Sequence, residues 1–116
     1  MSSRFAIAFV VVAALWAVPT AFAARAPTKS ERAGIAKVAR VPARCLKIRV
    51  STVDSHYASA YRRNTVKSCA RYQGDGVAVF RHRKSGWRFV TAGSAFECPV
   101  PHVPSRVAKD LDIRCY

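Results

Sequence analysis

Four cysteines, Cys45, Cys69, Cys98 and Cys115, do most to limit what this chain can fold into. An even number of cysteines in a short exported chain reads as a disulfide framework. Three pairings are open. Cys45–Cys69 with Cys98–Cys115 is favoured, because each bridge closes a compact local segment. Each restricts the unfolded chain by about 3 kcal/mol. The chain contains neither C-x-x-C nor H-x-x-x-H, the spacings that dithiol redox centres and many zinc sites use. No metal and no cofactor are expected.

The start of the chain supplies the compartment. Arg4 marks a short basic n-region, Phe5 to Val18 is an apolar stretch, and Ala21-Phe22-Ala23 is an A-x-A cleavage site just after Pro19. This pattern predicts a signal peptide over 1–23, with Ala24-Arg25-Ala26 as a second cleavage candidate. The competing reading is a retained anchor, since Phe5 to Ala24 is uncharged and nearly long enough to span a bilayer. Cleavage removes 23 residues and one cation, Arg4, from 116 residues of net charge +14, leaving 93 residues at +13. The expectation is one small disulfide-stapled domain over 24–116, secreted or associated with the cell envelope, with no integral membrane span after cleavage. A charge of +13 opposes compaction and favours polyanionic partners. A domain this short buries a limited core, so the disulfides matter.

Local patterns then place the elements. Thr28-Lys29-Ser30-Glu31 is a capping box that predicts a helix to about Arg40, stopped by Pro42. Leu46, Ile48 and Val50 alternate with Lys47, Arg49 and Ser51, the signature of a half-buried strand. A second alternation over His56 to Arg63 puts Tyr57, Ser59 and Tyr61 on one face. Ala58 and Ala60, small enough to lie beneath a helix, take the other. Asn64 to Tyr72 is read as a turn and a short strand holding Cys69. Val77–His82 and Trp87–Ala92 form the strongest strand pair. A four-residue loop, Arg83 to Gly86, sets Phe80 opposite Phe89, Val79 opposite Val90 and Arg81 opposite Arg88. Pro104 suits the start of a short last helix, with Val107 and Leu111 facing the sheet. The sum is an α+β fold: an N-terminal helix on a curved antiparallel sheet of three to four strands, a short C-terminal helix and two disulfides.

The stretches Arg49 to Asp54, Asp75 to Arg81 and Gly86 to Cys115 resemble a group of small secreted actinobacterial-type proteins of unassigned function. The Cys-flanked segment "CPVPHVPSRVAKDLDIRC" is the most specific part. The resemblance implies an exported, disulfide-containing α+β domain and carries no catalytic residues. The order of elements is also similar to cystatin-like and NTF2-like rolls, which bears on fold alone.

Catalytic constellations fare poorly. Asp54-Ser55-His56 has the residue types of a hydrolase triad, but three consecutive residues on a strand cannot converge; a polar bend is expected. Ser94 lacks the G-x-S-x-G elbow. Gln73 to Gly76 leads into a strand, not a phosphate-binding helix. His56, His82 and His102 offer general acid–base groups, though no spacing brings two together.

Cations remain. Lys47, Arg49, Arg62 and Arg63, with Arg81, Arg83, Lys84 and Arg88 at the hairpin "RHRKSGWRF", are the candidate anion-binding residues. Trp87 is a candidate for stacking on a sugar or base. The expected function is a non-enzymatic secreted or envelope-associated module that contacts anionic polymers electrostatically. Its candidate partners are cell-surface polymers or polysaccharide and, without sequence specificity, extracellular nucleic acid. The alternatives are a small phosphodiester or glycan hydrolase using histidines, and an inhibitor or effector with one protein partner.

Overall fold

The computed structural model describes residues 24–115; the leader expected over 1–23 lies outside the described residues. The elements are α1 (Lys29–Ala39), β1 (Leu46–Val50), β2 (Tyr57–Arg62), β3 (Val77–Arg83), β4 (Gly86–Gly93) and α2 (Ser105–Asp110). The four strands form one antiparallel sheet in sequential order. This is the expected α+β architecture. Among the described residues no helix is long and apolar enough to cross a membrane.

The capping box forms as predicted. Thr28 Oγ1 accepts from the Glu31 backbone N–H at 3.2 Å, and the Glu31 carboxylate accepts from the Thr28 N–H at 2.8 Å. Arg25 adds a bidentate pair to the same carboxylate at 2.7 and 2.9 Å. That pair fixes the lead-in segment, whose Arg25 backbone exchanges two hydrogen bonds with Val50 at the sheet edge. The helix ends at Arg40, whose φ of 56° turns the chain out of the helix.

Each face of the sheet buries its own apolar cluster. On one, α1 delivers Ile35 onto Leu46, Ile48, Val50, Ala58, Ala60, Phe80 and Trp87. Ala58 and Ala60 provide the small floor that alternation predicts. Gly34 has a packing reason to be in the helix. A Cβ there would sit 2.7 Å from Trp87 Cδ1, so its absence lets the helix lie on the indole.

On the other face, Tyr57, Val79 and Phe96 meet Val103, Val107 and Leu111 of the C-terminal segment. Disulfides Cys45–Cys69 and Cys98–Cys115 close with Cα separations of 5.5 and 5.6 Å. The pairing is the favoured one, and such bridges suit an oxidising compartment.

Three local expectations need correction. The segment around Cys69 is a 3₁₀-helix over Lys67–Tyr72, not a strand. Val66, Cys69 and Tyr72 recur every third residue, the period of that helix, and all three pack on the α1-side core. In the hairpin, Phe80 does face Phe89 and Arg81 does face Arg88, but Val79 faces Thr91. A β-bulge beside Phe80 leaves Val90 as the extra residue, shifting the register by one. The strands also run closer to the tip than expected: Arg83 pairs with Gly86, so Lys84-Ser85 alone make the turn.

Candidate anion-binding surface

The hairpin tip gathers four of the candidate cations. Strand alternation sends Arg81, Arg83 and Arg88 to one face, and Lys84 sits in the turn itself. All four are exposed. Arg81 directly opposes Arg88, an unfavourable like-charge pair. The two guanidinium groups are engaged in different directions: Arg81 lies 5.4 Å from the Tyr57 ring centroid, and Arg88 Nη2 donates to Ser85 Oγ at 2.8 Å. None of the four forms an ion pair with a carboxylate among the described residues. Two shallow depressions adjoin the tip. One, of about 450 Å³, is lined by Arg81, Arg83, Ser85, Arg88, Phe89 and Val90. The other, of about 540 Å³, adds Asp54, His56, His82 and Lys84.

Among the described residues, Asp54 is the one carboxylate lining these depressions, and it is already occupied. It accepts from the His56 backbone N–H at 3.0 Å, and its Oδ1 lies 2.9 Å from His56 Nδ1. Those bonds, with the nearby Arg81 charge, outweigh burial and hold its carboxyl below the usual range. Among the described residues Ser55 makes no side-chain hydrogen bond to Asp54 or His56, and Asp54-Ser55-His56 forms a polar bend.

The β1 candidates form a separate group. Lys47 and Arg49 share the face of Arg81 by alternation, but lie two strands away. Lys47 Nζ sits 5.6 Å from the Tyr61 ring centroid. Arg63 Nε donates to the Leu46 carbonyl at 3.3 Å, and Arg62 Nη1 to the Gln73 carbonyl at 3.1 Å. Lys47, Arg49, Arg63 and Arg32 line a depression of about 260 Å³ at the sheet edge. Arg49 and Arg62 also line a larger groove of about 880 Å³ between the sheet and the C-terminal segment. That groove carries Lys109 and Arg114 but also Asp75, Asp110 and Asp112, so its charge is mixed. The structure therefore gathers the four tip cations, sets Lys47, Arg49 and Arg63 apart at the sheet edge, and leaves Arg62 on the opposite sheet face by register, beside the mixed-charge groove; the tip is the more uniformly positive.

Trp87 does not belong to the binding surface. It is only 9 % exposed and lies under Gly34, so its indole is committed to the core and cannot stack on a ligand. The exposed ring beside the tip is Phe89, at 58 %, although its edge meets Phe80 at a centroid distance of 6.1 Å. A strand position usually pairs an aromatic with the core. Phe89 lies on edge strand β4 and shares a depression with Val38 and Ala39 of α1, yet its ring stays largely exposed.

Sequence reasoning passed over two features. The first is Asp110, which is 1 % exposed. It accepts from Ser51 Oγ at 2.7 Å, Thr52 N at 2.6 Å and Thr52 Oγ1 at 3.0 Å, and so ties α2 to the β1–β2 turn. Burial raises its pKa, but these bonds outweigh burial and leave it below the usual value. The second is the meeting of His56 and His82, whose ring centroids are 6.3 Å apart. The β2–β3 register produces it, across a connection no local turn signal determines. Among the described residues no three His, Cys, Asp or Glu side chains are placed to hold a metal.

Comparison with protein-family models, with curated proteins and with solved structures returned no significant match.

Proposed function

We propose that this protein is a secreted or envelope-associated, non-enzymatic module that binds anionic polymers through its cationic hairpin tip. The signal peptide read in the sequence and the resemblance to small secreted actinobacterial-type proteins support a location outside the cytoplasm, with which the two disulfides are consistent. The observation that carries the reading is the set Arg81, Arg83, Lys84 and Arg88 on one hairpin, with no carboxylate ion-paired to any of them among the described residues. Exposed cations whose charge no carboxylate neutralises attract anions, and a polymer with repeated negative charge releases counterions when it meets them. Lys47, Arg49, Arg62 and Arg63 give a second contact for a chain long enough to reach it. Binding of this kind is steep in salt and shallow in sequence or sugar specificity.

The test is retention of the mature protein on anionic cell-surface material, and on heparin, across a salt gradient. The wild type is retained at low salt. Replacing Arg81, Arg83, Lys84 and Arg88 with Glu releases it. Failure of the wild type to bind even at low salt would sink the reading. Recovery of a single protein partner that resists high salt would instead favour the inhibitor or effector alternative. Turnover of a phosphodiester or glycan that is lost on changing His56, His82 or His102 would favour the hydrolase alternative.

A further inference from the structure

Beside the arginines of the tip, the β2–β3 register creates an arrangement that diffuse electrostatics does not require. The His82 backbone N–H donates to the His56 carbonyl at 2.7 Å. The two imidazoles stack with an interplanar angle of 26° and centroids 6.3 Å apart. His56 Nδ1 is held on Asp54 Oδ1 at 2.9 Å, which leaves Nε2 as the nitrogen able to meet a ligand. The His82 ring is held 5.1 Å from the Trp87 ring. The pair lines one depression with Arg81, Arg83 and Lys84.

We propose that His56 and His82, flanked by Arg81, Arg83 and Lys84, form a phosphate-group site for a phosphodiester polymer, one that strengthens as the pH falls through the histidine range. The proposal rests on the anionic-polymer reading above and names the chemistry of one part of that surface. Histidine is the side chain that gains charge between pH 8 and 5. Two protonated rings this close repel each other, and an anion that accepts from both at their open edges offsets that repulsion. Arginine matches phosphate oxygens with its planar fork. The charged groups that line the depression with the pair are Asp54 from the β1–β2 turn, Arg81 and Arg83 from β3, which alternation sends to the opposite sheet face from His82, and Lys84 from the β3–β4 turn; Trp87, the β4 neighbour, is uncharged. Asp54 is ionised across this range, because its carboxyl is held below the usual value. The proton-dependent gain therefore belongs to the histidines. The sign follows: protons favour the bound anion, so affinity rises as pH falls.

The experiment measures binding of an oligothymidylate by calorimetry at constant ionic strength, at about pH 8 and about pH 5.5. Wild type binds about 3- to 10-fold tighter at the lower pH. His56→Gln/His82→Gln keeps its affinity at the higher pH and loses the gain, whereas His102→Gln keeps the gain. Because His82 packs on Trp87, melting is checked for each variant. Single His56→Gln, at an exposed position, is the fallback and loses part of the gain. Absence of a gain in the wild type, or its persistence in the double variant, overturns the site and leaves the broader reading standing. No binding at either pH overturns both. An equal gain with heparin or a polycarboxylate overturns the assignment to phosphate. A gain reproduced by competing inorganic phosphate, without extra affinity for the polymer, overturns the polymer as its occupant.

Discussion

Asp110→Asn tests whether one buried carboxylate couples the C-terminal segment to the turn behind the tip. Asp110 accepts three short hydrogen bonds from Ser51 and Thr52. Ser51 Oγ in turn accepts from the Val53 and Asp54 backbone N–H groups, both at 3.1 Å. The chain of bonds thus runs from α2 to the bend that holds His56. Asparagine retains one acceptor oxygen for Ser51 Oγ and Thr52 N but loses the charge, and hydrogen bonds to a charged group are about twice as strong as neutral ones. We expect a loss of about 1–2 kcal/mol for Asn. For Asp110→Ala, which leaves all three donors without this acceptor, we expect about 3–5 kcal/mol. In a domain stable by roughly 5–15 kcal/mol, the Asn change lowers the melting temperature by about 5–15 °C. Urea unfolding followed by Trp87 fluorescence gives the free energies. The pH dependence supplies a second check. The folded-state pKa lies below the usual value, so the carboxylate's contribution is complete above about pH 4. It is lost as pH falls through the folded value, and wild type and Asp110→Asn converge in acid. An Asn variant within about 0.5 kcal/mol of wild type at neutral pH, or a difference that persists undiminished in strong acid, would refute the coupling.

Two further outcomes follow from the packing. Gly34→Ala should destabilise despite alanine's helix preference of about 1 kcal/mol, because its Cβ would meet Trp87 Cδ1 at 2.7 Å; a net loss of about 1–2 kcal/mol with altered Trp87 emission is expected, and a net gain would show that the helix does not rest on the indole. Glu31→Gln removes the Arg25 pair and weakens the cap, for about 1 kcal/mol at neutral pH. The Arg25 hydrogen bonds hold the Glu31 carboxyl down at about 2, so this contribution is present above the usual glutamate range and fades as pH falls toward that value. Acid titration of both proteins should show their stabilities meeting.

The legible parts of this fold were those whose physics is local. The capping box needs only Thr28 and Glu31, one turn apart. The alternation of Leu46, Ile48 and Val50 needs only the pleat of one strand. The Phe80–Phe89 register is held by the turn beside it, and the disulfides close short segments. The hidden parts depend on contacts between distant segments. Asp110 looks like an ordinary solvent-facing charge on a short helix until Ser51, 59 residues earlier, is brought to it. His56 and His82 meet only through a register fixed by β2 and β3 packing as a whole. Trp87 sits beside exposed cations in sequence, yet the pleat turns its indole inward beneath α1. The 3₁₀-helix at Lys67–Tyr72 did leave a signal, the three-residue spacing of Val66, Cys69 and Tyr72, which alternation-based reading overlooks.

The most direct test of the cationic tip is the salt slope of binding to a single-stranded oligonucleotide. Each phosphate neutralised contributes about 0.7 to the slope of log affinity against log salt. If Arg81, Arg83, Lys84 and Arg88 are the principal contacts, replacing all four with Glu should lower the slope's magnitude by about 2–3. The equivalent change at Lys47, Arg49, Arg62 and Arg63 should lower it less. A slope unmoved by reversing the tip, in a variant that melts like the wild type, would contradict the account.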